Sequence, residues 1–102
     1  MKTESVEEVI FPLPDEMMVV TSTYVTSDGM PVLYVTHEKD EDGEHLWQFH
    51  CGNNDYDMSR MQLVRFDTIK KIDSSVCKLA GLPLGFSARR SSKDQEWTVF
   101  KE

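Results

Sequence analysis

The stretch Leu46-Trp47-Gln48-Phe49-His50-Cys51-Gly52, followed by Asn53-Asn54-Asp55-Tyr56-Asp57, decides how the chain is read. Its first half alternates, so in an extended conformation His45, Trp47, Phe49 and Cys51 share one face while Leu46, Gln48 and His50 share the other. The pattern predicts a half-buried strand with an aromatic inner face. Gly52 ends it where the chain must bend. The next five residues carry two carboxylates, two amides and a phenol, which predicts a surface loop.

Upstream, Glu38-Lys39-Asp40-Glu41-Asp42-Gly43-Glu44 holds five acids, one base and one glycine and reads as a solvated loop in front of that strand. Val32 to Thr36 reads as a strand, with Pro31 confined to its beginning or to an edge. Met17 to Thr26 is rich in β-branched residues, and Ser27-Asp28-Gly29 after it is a turn of the kind that joins antiparallel strands. Together these segments predict a three-stranded antiparallel meander. Pro12 and Pro14 forbid a regular helix through residues 12 to 14, so residues 1–16 read as an N-terminal arm, with Val6, Val9 and Ile10 spaced for a short amphipathic turn.

Downstream, Met61 to Phe66 admits two readings, a short strand or a buried connector. Asp67 is placed to cap a helix over Thr68 to Ile72, and Asp73 to cap a second over Ser74 to Ala80. Gly81 is expected to stop the second helix in a left-handed conformation, with Pro83 barring its resumption. Ile69, Ile72, Val76, Leu79 and Ala80 recur at three and four residues, which gives the helical segment one apolar face. Gly85 to Arg90 and Glu96 to Phe100 read as a closing hairpin. The expected fold is α+β: an antiparallel sheet of about five strands with two short helices packed on one face, in one domain spanning residues 1–102.

The 102 residues, 39% of them hydrophobic, suffice for one core and not for two. No apolar run approaches the roughly 18 residues needed to span a bilayer, and the first residues lack a basic segment followed by an apolar one. A cytoplasmic protein without a membrane partner is expected. The two cysteines, Cys51 and Cys77, have no CxxC spacing and read as buried free thiols. The net charge of −7 conceals a division, since residues 1–57 carry −11 and residues 58–102 carry +4. An acidic surface repels nucleic-acid phosphates and favours a basic protein, chiefly through association rate and specificity.

Catalytic and metal-binding readings find little to rest on. His37, His45 and His50 with nearby aspartates supply ligand types, but His50 and Cys51 are neighbours in a strand, so their side chains leave opposite faces and do not form a nucleophile and base. HExxH, CxxC and serine-elbow motifs are absent from the sequence. The acidic run lies between strands, whereas an EF-hand loop lies between helices. No enzyme activity and no cofactor or metal are expected, and the histidines read as solvated. Arg89, Arg90 and Lys93 form a basic cluster too small to indicate nucleic acid and better read as an internal ion pair with the acidic half or as exposed. Tyr56, set between two aspartates, has the amphipathic character that protein interfaces favour.

From Trp47 onward the chain resembles a bacterial family of unknown function later grouped with the immunity proteins of polymorphic toxin systems, the immunity protein thirty-three type. The resemblance is carried by Trp47-x-Phe49-x-x-Gly52 with Asp55 and Asp57 after it, then by Leu63-x-x-x-Asp67-Thr68-Ile69 and Asp73-Ser74-Ser75-Val76 with Leu79. It continues through Leu82-Pro83-Leu84-Gly85-Phe86-Ser87-Ala88-Arg89 and a late Trp97. These pieces cover about half of the chain in the family's order. The family commonly has proline where Ser74 stands, and its acidic stretch after the glycine is often longer. Membership implies a protein that binds and neutralises a cognate toxin by stoichiometric occlusion. On that reading Asp40, Glu41, Asp42, Glu44, Asp55 and Asp57 would steer a basic partner and Tyr56 would anchor it. The alternative is a non-enzymatic accessory or regulatory binding module.

Overall fold

Aromatic side chains alternating along one strand need a second layer to cover them, and here the helices supply it. A computed structural model describes residues 14–55 and 57–101. In chain order it contains strand β1 (Met18–Ser22), helix α1 (Thr23–Thr26), β2 (Tyr34–Lys39), β3 (His45–His50), a 3-10 turn (Met58–Arg60) and β4 (Met61–Arg65). Helix α2 (Phe66–Ile72), a 3-10 helix (Ser74–Leu79), β5 (Phe86–Arg89) and β6 (Thr98–Lys101) follow. The six strands form one sheet in the order β4-β1-β3-β2-β5-β6. Every neighbouring pair is antiparallel except β1 and β3, which run parallel with Val20 opposite Gln48. The expected α+β class and helical layer stand, with one strand more than expected because Met61–Arg65 pairs along β1 from Met18–Arg65 to Ser22–Met61.

Register places Val19, Trp47, Phe49, Val35 and Ala88 on one face, since Val35 lies opposite both Phe49 and Ala88. These residues are buried together with Phe66 and Ile69 of α2 and Val76 and Leu79 of the 3-10 helix. Phe49 and Phe66 meet with ring centres 5.8 Å apart, so the helices are held by aromatic packing as well as by aliphatic burial. Ile72, expected on the same face, is exposed. Ile72 is the last residue of α2, and beyond Asp73 the chain continues as a 3-10 helix with three residues per turn.

The expected meander does not form. Strand β1 ends at Ser22, and Thr23–Thr26 turns into a single helical turn closed by the Ser27 and Asp28 N–H groups donating to the Thr23 carbonyl. That turn buries Val25, and burying one valine side chain outweighs the small cost of β-branched residues in a helix. The chain then passes the position beside β1, so β2 pairs with β3 and not with β1. The hairpin of β2 and β3 across the acidic loop, and that of β5 and β6, form as expected.

Two cap assignments are corrected and one stands. Helix α2 begins at Phe66, whose N–H donates to the Met17 carbonyl, so Asp67 lies inside the first turn, where its carboxylate receives the Arg65 guanidinium at 2.9 and 3.1 Å. The left-handed residue after the helices is Gly85, with φ +86°, and not Gly81. Asp73 does cap its helix, accepting from the Ser75 N–H at 3.1 Å. The same carboxylate pairs with Arg90, whose side chain is 2% exposed. Arg90 is therefore in an internal ion pair, though its partner Asp73 belongs to the basic half of the chain and not to the acidic half as expected, while Arg89 is exposed with its guanidinium over the Tyr34 ring. The Arg90 guanidinium also donates to the carbonyls of Val32 and Lys93 and lies 4.1 Å above the Trp97 ring.

Removing one member of a buried, hydrogen-bonded ion pair leaves the other charge uncompensated, at a cost of about 3 kcal/mol or more. Asp73→Ala is expected to lower unfolding free energy by about that amount in urea titrations, whereas Asp73→Asn, which keeps the cap acceptor, costs less.

Candidate functional site

The acidic residues singled out in the sequence fall at opposite ends of β3. Asp40, Glu41, Asp42 and Glu44 form the turn before it, whereas Asp55 and Asp57 lie in the loop after it. Six residues of strand separate the two groups by about 20 Å, so they do not form one belt. Tyr56 lies outside the described residues, as do residues 1–13 of the proposed arm.

The turn between β2 and β3 is built by its own first residue. The Asp40 N–H donates to the Glu44 carbonyl at 2.8 Å, and Asp40 Oδ1 accepts from the N–H groups of Asp42 and Glu44 at 2.9 Å each. This is the local side-chain bonding for which aspartate is favoured in turns. Gly43 takes φ +82° to close the loop. With Asp40 engaged in shaping the turn, Glu41, Asp42 and Glu44 are exposed, and among the described residues none of the four forms an ion pair. Because β1 and β3 are parallel, the segment leading into β1 lies at the same end of the sheet. There Asp15 is paired with Lys70, and Asp67 with Arg65.

The loop after β3 is organised differently. Gly52 has φ +75°, a left-handed conformation that favours glycine, although a Cβ on it would find only ordinary contacts with the Cβ atoms of Leu33 and Tyr34 at 3.6 and 3.8 Å. Side chain to backbone bonds then run in series. Asn53 accepts from the Asp55 N–H, Asp55 from the Asp57 N–H and Asp57 from the Ser59 N–H, all within 3.1 Å. The second oxygen of Asp55 receives the Tyr24 hydroxyl. That hydrogen bond is the main cause that lowers the Asp55 carboxyl below its ordinary range and raises the Tyr24 phenol above its own; the Asp57 N–H lowers Asp55 further. Arg60 lies 3.8 Å over the Tyr24 ring and pairs with Asp28 at 2.7 Å. Sequence reasoning missed this cluster because Tyr24 and Asp28 are about 30 positions away from Asp55 and Arg60, and the helical turn that brings them together was read as strand.

The histidines also differ from expectation. His45 is exposed, but His37 and His50 are buried. His50 lies on the face opposite Trp47 and Phe49, as alternation requires, and Cys51 lies on theirs, so the two do not meet. His50 Nε2–H donates to Gln48 Oε1 at 2.9 Å, and the Gln48 amide donates to Glu38 at 3.3 Å. Burial lowers the His50 imidazolium below its usual range. His37 stacks on Trp47 with ring centres 4.0 Å apart and lies within hydrogen-bond distance of Leu82 and His45. Both cysteines are free thiols, Cys51 buried as expected and Cys77 only half-buried. Among the described residues no group of three His, Cys, Asp or Glu side chains is placed to hold a metal ion, and no helix is long and apolar enough to cross a membrane.

Beside the edge strand β4, Val20, Gln48, Met58, Met61, Gln62 and Leu63 line a shallow apolar depression, with Met58 82% and Leu63 65% exposed. No family model matches the chain, and no curated protein or solved structure matches it.

Two outcomes follow from these environments. Tyr24→Phe removes the donor to Asp55, so the Asp55 carboxyl is expected to titrate closer to its ordinary value of about 3.9 in carboxyl-detected NMR. A buried histidine with a lowered folded-state value contributes its full stability above about pH 6.5 and loses it as pH falls below that point, by up to about 1.4 kcal/mol per pH unit. Unfolding free energies between about pH 7.5 and pH 5 should therefore decline less steeply in His50→Gln than in the wild-type protein.

Proposed function

We propose that the protein is a cytoplasmic, non-enzymatic immunity-type protein that binds a basic bacterial toxin and neutralises it by stoichiometric occlusion. The observation that carries this reading is the turn between β2 and β3. Its backbone is fixed by Asp40, and Glu41, Asp42 and Glu44 stand exposed without a neutralising base among the described residues. A rigid anionic projection of this kind attracts a cationic surface over a Debye length and orients it before contact. Because the carboxylates stay exposed when the partner is absent, their contribution lies mostly in association rate.

The resemblance to toxin-immunity proteins supports the class of partner. The carboxylates that follow β3 are secondary in this reading. Asp55 and Asp57 already accept hydrogen bonds from Tyr24 and Ser59, and recruiting them for a partner requires breaking those bonds.

The test is co-expression with any toxin domain found encoded beside the gene, followed by purification of any complex. The expected result is restored growth and a one-to-one complex whose association rate falls at least tenfold between low and high salt. Glu41→Lys with Asp42→Lys and Glu44→Lys should slow association by a similar factor, while Asp55→Asn with Asp57→Asn should change it far less. Failure of any neighbouring toxin to form a stoichiometric complex overturns the reading in favour of an accessory module, and an unchanged rate in the triple variant overturns the site.

A further inference from the structure

We propose that His37 and His45 form a proton-sharing latch that ties the turn between β2 and β3 to the Leu82–Gly85 segment, and that uptake of a second proton opens it. The inference stands apart from the identity of any partner. The two imidazoles lie with His37 Nε2 2.7 Å from His45 Nδ1, while His37 Nδ1 lies 2.7 Å from the Leu82 carbonyl oxygen. A carbonyl only accepts, so His37 carries a proton on Nδ1 and, in its neutral form, presents a bare Nε2. His45 must then donate from Nδ1. The tautomers of both rings are thus fixed by one backbone carbonyl.

The ring centres are 4.9 Å apart and the planes within 29°, farther apart than the 4.0 Å face-to-face contact of His37 with Trp47. The short nitrogen contact is therefore made edge to edge, with the Nε2 lone pair aimed at the Nδ1 proton. A first added proton enters at His45 Nε2 and leaves every bond in place, with the central bond now charge-assisted. A second has one remaining position, His37 Nε2, where it faces the N–H of His45. Two donors cannot occupy a 2.7 Å contact, so the pair must separate. His45 is the exposed member and is free to move away.

The surroundings connect this bond to two loops. His45 is the first residue after the acidic turn, and Glu44, beside it, closes that turn through its N–H to Asp40 and its carbonyl to the Asp40 N–H. On the other side the Gly85 N–H donates to the His37 carbonyl at 2.7 Å, so residues 82 and 85 both hold His37. The charged neighbours are Lys39, which is the register partner of His45, the turn acids Asp40, Glu41, Asp42 and Glu44, and Lys101 opposite Phe86 on β6. The 3-10 helix before Leu82 adds half-buried Cys77 and exposed Lys78. Leu82, Pro83, Leu84, Gly85 and Trp47 contribute no ionisable group near neutral pH, and Glu38 lies on the opposite face with Gln48.

The test is imidazole 15N NMR of the full chain from about pH 8 to about pH 4.5, with amide exchange measured in parallel. The expected result is a scalar coupling between His37 Nε2 and His45 Nδ1 that survives the first protonation and vanishes at the second. Protection factors of the Glu44 and Gly85 amides should fall about tenfold at that step. In His45→Ala, which alters only the exposed member, the fold should persist, the scalar coupling should be absent, and the stepwise loss of protection should disappear. Absence of the coupling at every pH, or protection that is unchanged at the second step, overturns the proposal.

Discussion

The buried guanidinium of Arg90 is the constraint on which the arrangement of the loops depends. A charge at 2% exposure is stable only if its donors and its charge are answered within the protein. Here the Val32 carbonyl takes two donors, the Lys93 carbonyl one and the Asp73 carboxylate another, with the Trp97 ring over the flat face. These partners come from the approach to β2, the loop between β5 and β6, the start of the 3-10 helix and the residue before β6. A planar fork with five donors can serve them together, whereas a lysine ammonium has three donors on a single point. The same residue thus ties the approach to β2 to the start of the 3-10 helix, which carries Val76 and Leu79 into the core.

Strand order follows from a second constraint, the single helical turn after β1. It carries the chain past β3 before it returns, so β1 lies parallel to β3 and recruits β4 on its outer edge. Periodicity states that a segment is extended but not which neighbour it has. The two hairpins were legible because their turns are local, with Gly43 in one and the Ser91–Asp94 stretch in the other. The position of β1 depends on contacts with Leu63 and Val64, more than 40 residues later, and no local pattern encodes it. The alternation of Trp47, Phe49 and Cys51 gave the core face correctly, but the burial of His50 on the opposite face did not follow from it.

Reading carboxylates from sequence has a similar limit. The acidic residues on either side of β3 look alike in composition, yet strand length separates them and hydrogen bonding distinguishes them further. Asp40 and Asp57 are each followed within a few residues by backbone N–H groups that they bond, a local habit of aspartate that the sequence permits but does not require. Asp55 is engaged by Tyr24, which reaches it only through the tertiary fold. Net charge counts all of these equally, whereas a partner meets chiefly the carboxylates that the fold leaves unengaged.

This difference gives the two ends of β3 different physical characters. At the end after the strand, Tyr24, Asp28, Asp55 and Arg60 already answer one another, so any contact there must exchange existing hydrogen bonds for new ones and gains little net energy. At the end before the strand, the turn is rigid because Asp40 bonds its backbone, and its outward carboxylates have water as their competitor. Rigidity lowers the entropy lost when a partner docks, while exposure keeps the electrostatic field long-ranged. The His37–His45 bond lies directly behind that turn and joins it to the core layer through the stacking of His37 on Trp47. If the two rings part, the turn keeps its charges and the Asp40 bonds that shape it, and what is lost is the tie between His45 and the Leu82–Gly85 segment that holds His37.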